Sequence, residues 1–260
     1  MIIVEGDASC KFCGRARASY YKHDSGKAIC VRCLARYIQK RVKRELSRLK
    51  LAPRATVAVF MHPALYMESL TLLKLLEGIE RRYESVIIAL IPSEMTVSVG
   101  RVASEHELAG MLSYDSNYLR NPYPLSVVED LRSSIKSVSN IGFRVDAVVT
   151  PLTLNDLSLM VLYSVFTNSN LVLRLLSSSN AAGLTRVIHA FRAVLRADVL
   201  SYAYLSGIYC RATEVPNCLM RGGEPQDHFT SVLEEMVNEL AARHPELLFR
   251  LVERFDMFSE

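Results

Sequence analysis

Residues 55–91 read ATVAVFMHPALYMESLTLLKLLEGIERRYESVIIALI, and they decide the architecture. Two runs, 55–60 and 85–91, are apolar almost without interruption, and a helical stretch lies between them. A strand that is apolar at every position is buried on both faces. Two such strands joined by a helix form the unit of a parallel sheet covered on either side. The pattern predicts a doubly wound α/β domain. Farther along, residues 125–138 read as a helix, 144–150 as a third strand and 154–166 as the helix after it. Segments 170–176 and 186–191 read as further strands and 197–205 as a helix. Residues 227–258 read as amphipathic helix interrupted at His244-Pro245. Residues 92–124 show no regular pattern.

Upstream, residues 10–33 read CKFCGRARASYYKHDSGKAICVRC. Cys10, Cys13, Cys30 and Cys33 form two C-x-x-C knuckles enclosing sixteen residues, a spacing expected of a structural zinc site. Each knuckle sets two sulfurs on one side of a tight turn, and two knuckles close a tetrahedron. Four thiolates leave no position open to substrate, so the ion is structural rather than catalytic. Binding it would supply about 10–16 kcal/mol of apparent folding energy to a segment with little apolar core. The other reading, two disulfides or a redox pair, belongs to oxidising compartments. MIIVEGDASC, at the start, carries no basic, long-apolar secretory pattern.

Charge is distributed unevenly. Between Lys11 and Arg54 there are 14 Lys/Arg against Asp24 and Glu45, a net of +12, whereas all other residues together carry −8. Val31, Leu34, Ile38, Val42, Leu46 and Leu49 recur at helical spacing as one apolar stripe. Arg36, Lys40, Lys43, Arg44 and Arg48 fall on the opposite face, with Arg32 and Lys50 at its margin. Such a face is either an ordinary solvated one or a footprint for nucleic-acid phosphates. Its junction with a zinc knuckle favours the second. Tyr20, Tyr21 and Tyr37 are candidates for base stacking or for packing inside the module. The chain therefore divides into a zinc ribbon (1–35), a basic helix and linker (36–54) and an α/β domain with a helical C-terminal part (55–260). No apolar run approaches membrane-spanning length, and the expected setting is cytoplasmic.

Residues 187–208, VIHAFRAVLRADVLSYAYLSGI, carry a resemblance. The segment is similar, without gaps, to R-I-K-P-L-R-x-V-P-E-K-E-V-x-x-Y-A-x-L-x-G-I of the PP-loop ATPases of tRNA 2-thiolation, the cytosolic thiouridylase family. Arg192, Val194, Val199, Tyr202, Ala203, Leu205, Gly207 and Ile208 fall on that pattern. The order of paired knuckles, basic helix and apolar strand is also similar, as is ARHPELLFRL near the end. The resemblance implies an adenine-nucleotide α-hydrolase-like sheet and a link to wobble-uridine tRNA.

The departures are concerted. Where the family carries S-G-G-K-D-S after its first strand, this chain has FMHPALYMES, with Phe60, Met61, His62, Pro63, Glu68 and Ser69 in place of a phosphate cradle. Leu65, Tyr66 and Met67 would crowd a pyrophosphate and Glu68 would repel it. Of a second motif, G-H-N-x-D-D, only Asp156 survives as a carboxylate within 151–156. The central sulfur-carrying C-x-x-C has no counterpart, nor does the C-terminal zinc ribbon of part of the family. Val215 replaces the cysteine before Pro216; Cys218 is either a substitute or a small apolar residue. These losses imply a degenerate PP-loop, no ATP, and a pseudoenzyme similar to the second subunit of the cytoplasmic tRNA 2-thiolation complex. Its partners would then be tRNA and an active PP-loop homologue in a hetero-oligomer. Two other readings remain: an ATP-dependent tRNA sulfurtransferase with a divergent loop, and a zinc-ribbon RNA- or ribosome-binding factor. His62 reads as structural, as a general base or as a phosphate contact. His23-Asp24 and Arg221-Gly222-Gly223 read as turns, and Met61, Met67 and Met95 as filler.

Overall fold

The computed structural model describes residues 8–22, 24–48, 54–80, 85–93, 108–116, 121, 123–140, 144–169, 186–208 and 227–259. Five strands form one parallel sheet: β3 (Thr56–Phe60), β4 (Val86–Pro92), β5 (Gly110–Tyr114), β6 (Ala147–Thr153) and β7 (Arg186–Phe191). Their order is β5-β4-β3-β6-β7. Sequential strands step outward from β3 in one direction and then in the other, which is a doubly wound sheet with its switch point between β3 and β6. The expected fold class holds.

Alternation within each strand builds two apolar layers. Val57, Val59, Ile87, Ala89, Ile91, Ala147, Val149, Ile188 and Ala190 join one layer, and Ala58, Phe60, Ile88, Leu90, Val148 and Val187 join the other. The register aligns them, with Val59 beside Ala89 on one side and Val149 on the other. The first layer is covered by α1 (Val31–Ser47), α2 (Tyr66–Glu80) and α5 (Arg196–Leu205). The second is covered by α3 (Leu125–Asn140), α4 (Leu154–Thr167), α6 (His228–Arg243) and α7 (Pro245–Ser259).

The third strand runs Ala147–Thr153 rather than 144–150. Arg144 and Asp146 instead form a surface hydrogen bond of 3.0 Å, and Asp146 accepts the Thr56 N–H at 2.9 Å. β5 arises inside the stretch without a pattern: it is an edge strand whose first four residues alternate between half-buried and exposed before the buried Tyr114. The expected strand at 170–176 lies outside the described residues. No helix among the described residues is long and apolar enough to cross a membrane.

The cysteine module is a two-stranded antiparallel ribbon, β1 (Tyr20–Tyr21) and β2 (Ala28–Ile29), leading directly into α1. Gly14, at φ +64°, closes the first knuckle, its N–H donating to the Cys10 carbonyl at 2.8 Å. The module is not a separate bead. Cys10, Tyr20, Ile29, Cys30, Leu34, Ile38 and Val42 share the apolar layer of β7 and α5. One buried polar link secures the joint: the Tyr20 hydroxyl donates to Asp198 Oδ1 on α5 at 2.9 Å. Lys22 Nζ stands 3.8 Å from Asp198 Oδ2 and 4.1 Å above the Tyr37 ring.

Burial pushes the Asp198 carboxyl up to about 6, against the pull of Lys22 and Tyr20. Between its ordinary 3.8 and that value the folded chain keeps a proton that the unfolded chain has released. Stability from this group therefore falls as pH rises through the window. The Asp198→Asn variant, which cannot ionise, is expected to gain on wild type by roughly 2–3 kcal/mol as pH goes from about 4 to about 6. Urea unfolding at several pH values measures this, and a constant difference between the two proteins would refute the assignment.

Candidate functional site

Four sulfurs converge at the end of the ribbon. The Sγ atoms of Cys10, Cys13, Cys30 and Cys33 all lie within 4.8 Å of one another, with Cys13 and Cys30 at 3.9 Å. A tetrahedral ion with bonds of about 2.3 Å would set its sulfurs about 3.8 Å apart, so the donor set fits one metal ion. Backbone N–H groups favour the thiolate at Cys10 and Cys13. Burial raises the Cys10 thiol, but N–H groups of Cys13, Cys30 and Phe12 donate to it and the net result is about 6. Backbone N–H groups of Arg15 and Ala16 lower Cys13. Cys33 is pushed up to about 12 by burial and by the neighbouring sulfurs. Four thiolates this close would need a cation among them.

The basic face is solvent-exposed as expected. Leu34, Ile38, Val42 and Leu46 turn inward, and Arg36, Lys40, Lys43, Arg44 and Arg48 turn outward. Glu45 is the buried exception, and it pairs with Arg48 at 2.7 Å, so the outermost cation of the row is partly neutralised. The three tyrosines are not a stacking surface. Tyr20 is fully buried against Asp198, Tyr37 lies beneath Lys22 and Arg41, and Tyr21 alone of the three is exposed, at 37%.

At the switch point, where a doubly wound sheet binds its ligands, the chain leaves β3 through Phe60, Met61 and His62. All three are fully buried. A 3₁₀ turn, Pro63–Leu65, leads into α2. Anion cradles at such turns depend on free backbone N–H groups. Here His62 Nδ1 accepts the Ala64 N–H at 3.2 Å, and the His62 carbonyl accepts the Leu65 N–H at 3.0 Å. The Tyr66 N–H donates to the Pro63 carbonyl, and Pro63 itself has no N–H to offer. Since Nδ1 accepts, the ring proton sits on Nε2, 3.4 Å from Asp130 Oδ2. Ser116 also donates to Asp130, and the Tyr114 hydroxyl donates to the Met61 carbonyl at 2.7 Å. The His62–Asp130 pair is fully buried.

The expected crowding of this turn is corrected. Leu65 packs into one apolar layer, and Tyr66 and Met67 into the other. Glu68, buried, binds Arg196 Nε at 2.8 Å and ties α2 to α5. Ser69 donates to the Leu65 carbonyl at 2.7 Å. The N–H groups of Ala64, Leu65 and Tyr66 all have partners within the turn. Asp156 closes the opposite lip: it forms a capping box with Thr153 and accepts the Tyr123 hydroxyl at 2.8 Å. Asn155 accepts the Arg196 N–H at 3.1 Å. His23, Met95, Cys210, Val215, Pro216, Cys218 and 221–223 lie outside the described residues. Asp130, Tyr123 and Tyr114 were missed in the sequence because their partners are distant in the chain. A buried histidine capping its own helix could have been suspected from His62-Pro63.

No protein-family model and no curated protein matches this chain. Among solved structures it is similar to the U34-tRNA thiolase NcsA from Methanococcus maripaludis, which was solved with its 4Fe–4S cluster. The TM-score is 0.73 at 17% identity, over 96% of this chain and 87% of that one. It also matches NAD+ synthetase from Burkholderia pseudomallei at a TM-score of 0.46 and 12% identity, over 85% and 91% of the two chains. The first of these shows that the chain shares the fold of that structure at low sequence identity.

Proposed function

We propose that this chain is a non-catalytic, tRNA-binding partner of an active PP-loop enzyme in wobble-uridine 2-thiolation. One observation carries the reading: at the β3–α2 turn, where this fold would seat a nucleotide phosphate, the N–H groups that could cradle it are already engaged. His62 takes those of Ala64 and Leu65, and Pro63 supplies none. A phosphate there would have to break both bonds and enter a fully buried space. The preserved parts are those that hold and bind: the metal module, the exposed cation row and a complete two-layer core.

The metal is zinc in this reading. Four thiolates with sulfurs within 4.8 Å suit a single tetrahedral ion, whereas a four-iron cubane spreads its thiolates over separate corners. The ion holds the knuckles and orients α1. The cations of α1 bind the RNA backbone, and the α/β domain docks on the active homologue, which supplies the turnover.

Calorimetric titration with ATP and Mg²⁺ tests the reading. No binding in the micromolar range is expected, and micromolar affinity would restore an ATP-dependent sulfurtransferase. Purification from the source cell should recover tRNA and a PP-loop homologue together; recovery of neither counts against the proposal. Replacing Arg36, Lys40, Lys43, Arg44 and Arg48 by Ala is expected to weaken tRNA binding and to flatten its salt dependence by roughly one unit of slope for each phosphate no longer neutralised. An unchanged slope would remove these residues from the interface. Dialysis against a strong chelator should release one zinc ion per chain, expose four reactive thiols and lower the melting temperature by about 4 °C or more. Iron and acid-labile sulfide in the released material would overturn the zinc assignment.

A further inference from the structure

An aromatic side chain outside the tyrosine cluster stands where an RNA ligand could use it. Phe12 lies in the first knuckle between two cysteines of the cluster, and the residue is 57% exposed. The backbone beneath it is held on every side. The Phe12 N–H donates to the Cys10 sulfur, the Lys11 N–H donates to the Ala28 carbonyl at 2.9 Å, and Gly14 closes the turn onto Cys10. An apolar ring on a tightly fixed turn, facing water, contributes little to folding.

Its surroundings indicate what it meets. Lys11, Arg15 and Arg17 are exposed on the same loop. Arg32 and Arg36 are exposed on the first turns of α1, which starts beside Cys30 and Cys33 and is therefore within one metal site of the loop. Among the described residues 8–48 the exposed acid is Asp24, and it pairs with Lys22. A protein hot spot surrounds its aromatic anchor with other apolar groups. Phe12 is flanked by Lys11 and, beyond Cys13, by Gly14 and Arg15. A flat apolar ring amid cations suits a ligand that is itself flat, apolar on its face and anionic along its backbone.

We infer that Phe12 is a stacking platform for an unpaired RNA base, set on the metal knuckle and ringed by the cations of the loop and of α1. The inference rests on the RNA-binding reading above and adds which part of the RNA is gripped. A base inside a duplex is already stacked on both faces, so the ring selects loops, bulges or ends.

The chain contains no tryptophan, so Phe12→Trp introduces a single fluorescent reporter. Wild type, Phe12→Ala and Phe12→Trp, matched for metal content, are titrated with a tRNA transcript and with a blunt RNA duplex over a range of salt. Phe12→Ala is expected to lose roughly 5- to 150-fold in affinity for tRNA with its salt slope unchanged, and to bind the duplex like wild type. Phe12→Trp should retain tRNA affinity, and its emission should be quenched on binding. Equal tRNA affinity for Phe12→Ala and wild type, an equal loss on duplex and tRNA, or an unquenched Phe12→Trp would each overturn the inference. Wild type that binds tRNA with full salt dependence yet ignores Phe12 would overturn this inference alone. Wild type that binds no tRNA would overturn the RNA-binding reading with it.

Discussion

A parallel sheet with apolar residues at every position has no face it can leave in water, and that constraint organises this molecule. The face of β3, β4, β6 and β7 that carries Val57, Val59, Ala89, Val149 and Ile188 needs a roof. α2 and α5 supply part of it, and α1 supplies the rest at β7. The helix that presents cations outward is thus the one whose inner stripe completes the core. Its position is set twice: by apolar burial along Leu34, Ile38 and Val42, and by the Tyr20–Asp198 hydrogen bond at the entrance to α5. The second knuckle, Cys30 to Cys33, spans the start of that helix, so the cysteine cluster, the cations and the sheet form one mechanical unit.

The switch point follows from the same constraint in the opposite sense. Doubly wound sheets open a crevice there, because the connections leave the strand ends in opposite directions. In this chain the crevice is occupied by the protein's own polar groups. His62 caps the turn after β3, Asp130 and Tyr114 bind to that segment, and Tyr123 and Asp156 close the lip of β6. Polar groups buried so deeply are tolerated because they have partners. Glu68 is one such group: its carboxylate binds Arg196 and joins two helices.

Much of this was legible in the sequence. Continuous apolar runs at 55–60 and 85–91 announced buried parallel strands, and the knuckle spacing announced the cluster of sulfurs. Of the expected stripe in α1, Leu34, Ile38, Val42 and Leu46 are buried, Val31 is half-buried and Leu49 lies outside the described residues, while the cations face outward. Each of these signals is local, carried by residues a few positions apart. β5 was not legible. It is an edge strand, Gly110–Tyr114, half in water and without an apolar run. The beginning of β6 was misplaced by three residues because Arg144 and Asp146 look like the start of a strand but serve a surface link.

The sequence by itself determined the clustered cysteines, the buried strands of a doubly wound sheet and the absence of a glycine-rich phosphate loop after the first of them. These depend on spacing and residue type alone. Only the tertiary structure decided how the switch point is filled, which aromatics are exposed and what Glu68, Asp130 and Asp198 do. Their partners lie far away along the chain: 128 residues separate Arg196 from Glu68, and 178 separate Asp198 from Tyr20. A side chain's chemistry is written in its own position. Its environment is written in whatever the fold brings beside it, and for a buried charge the environment decides the role.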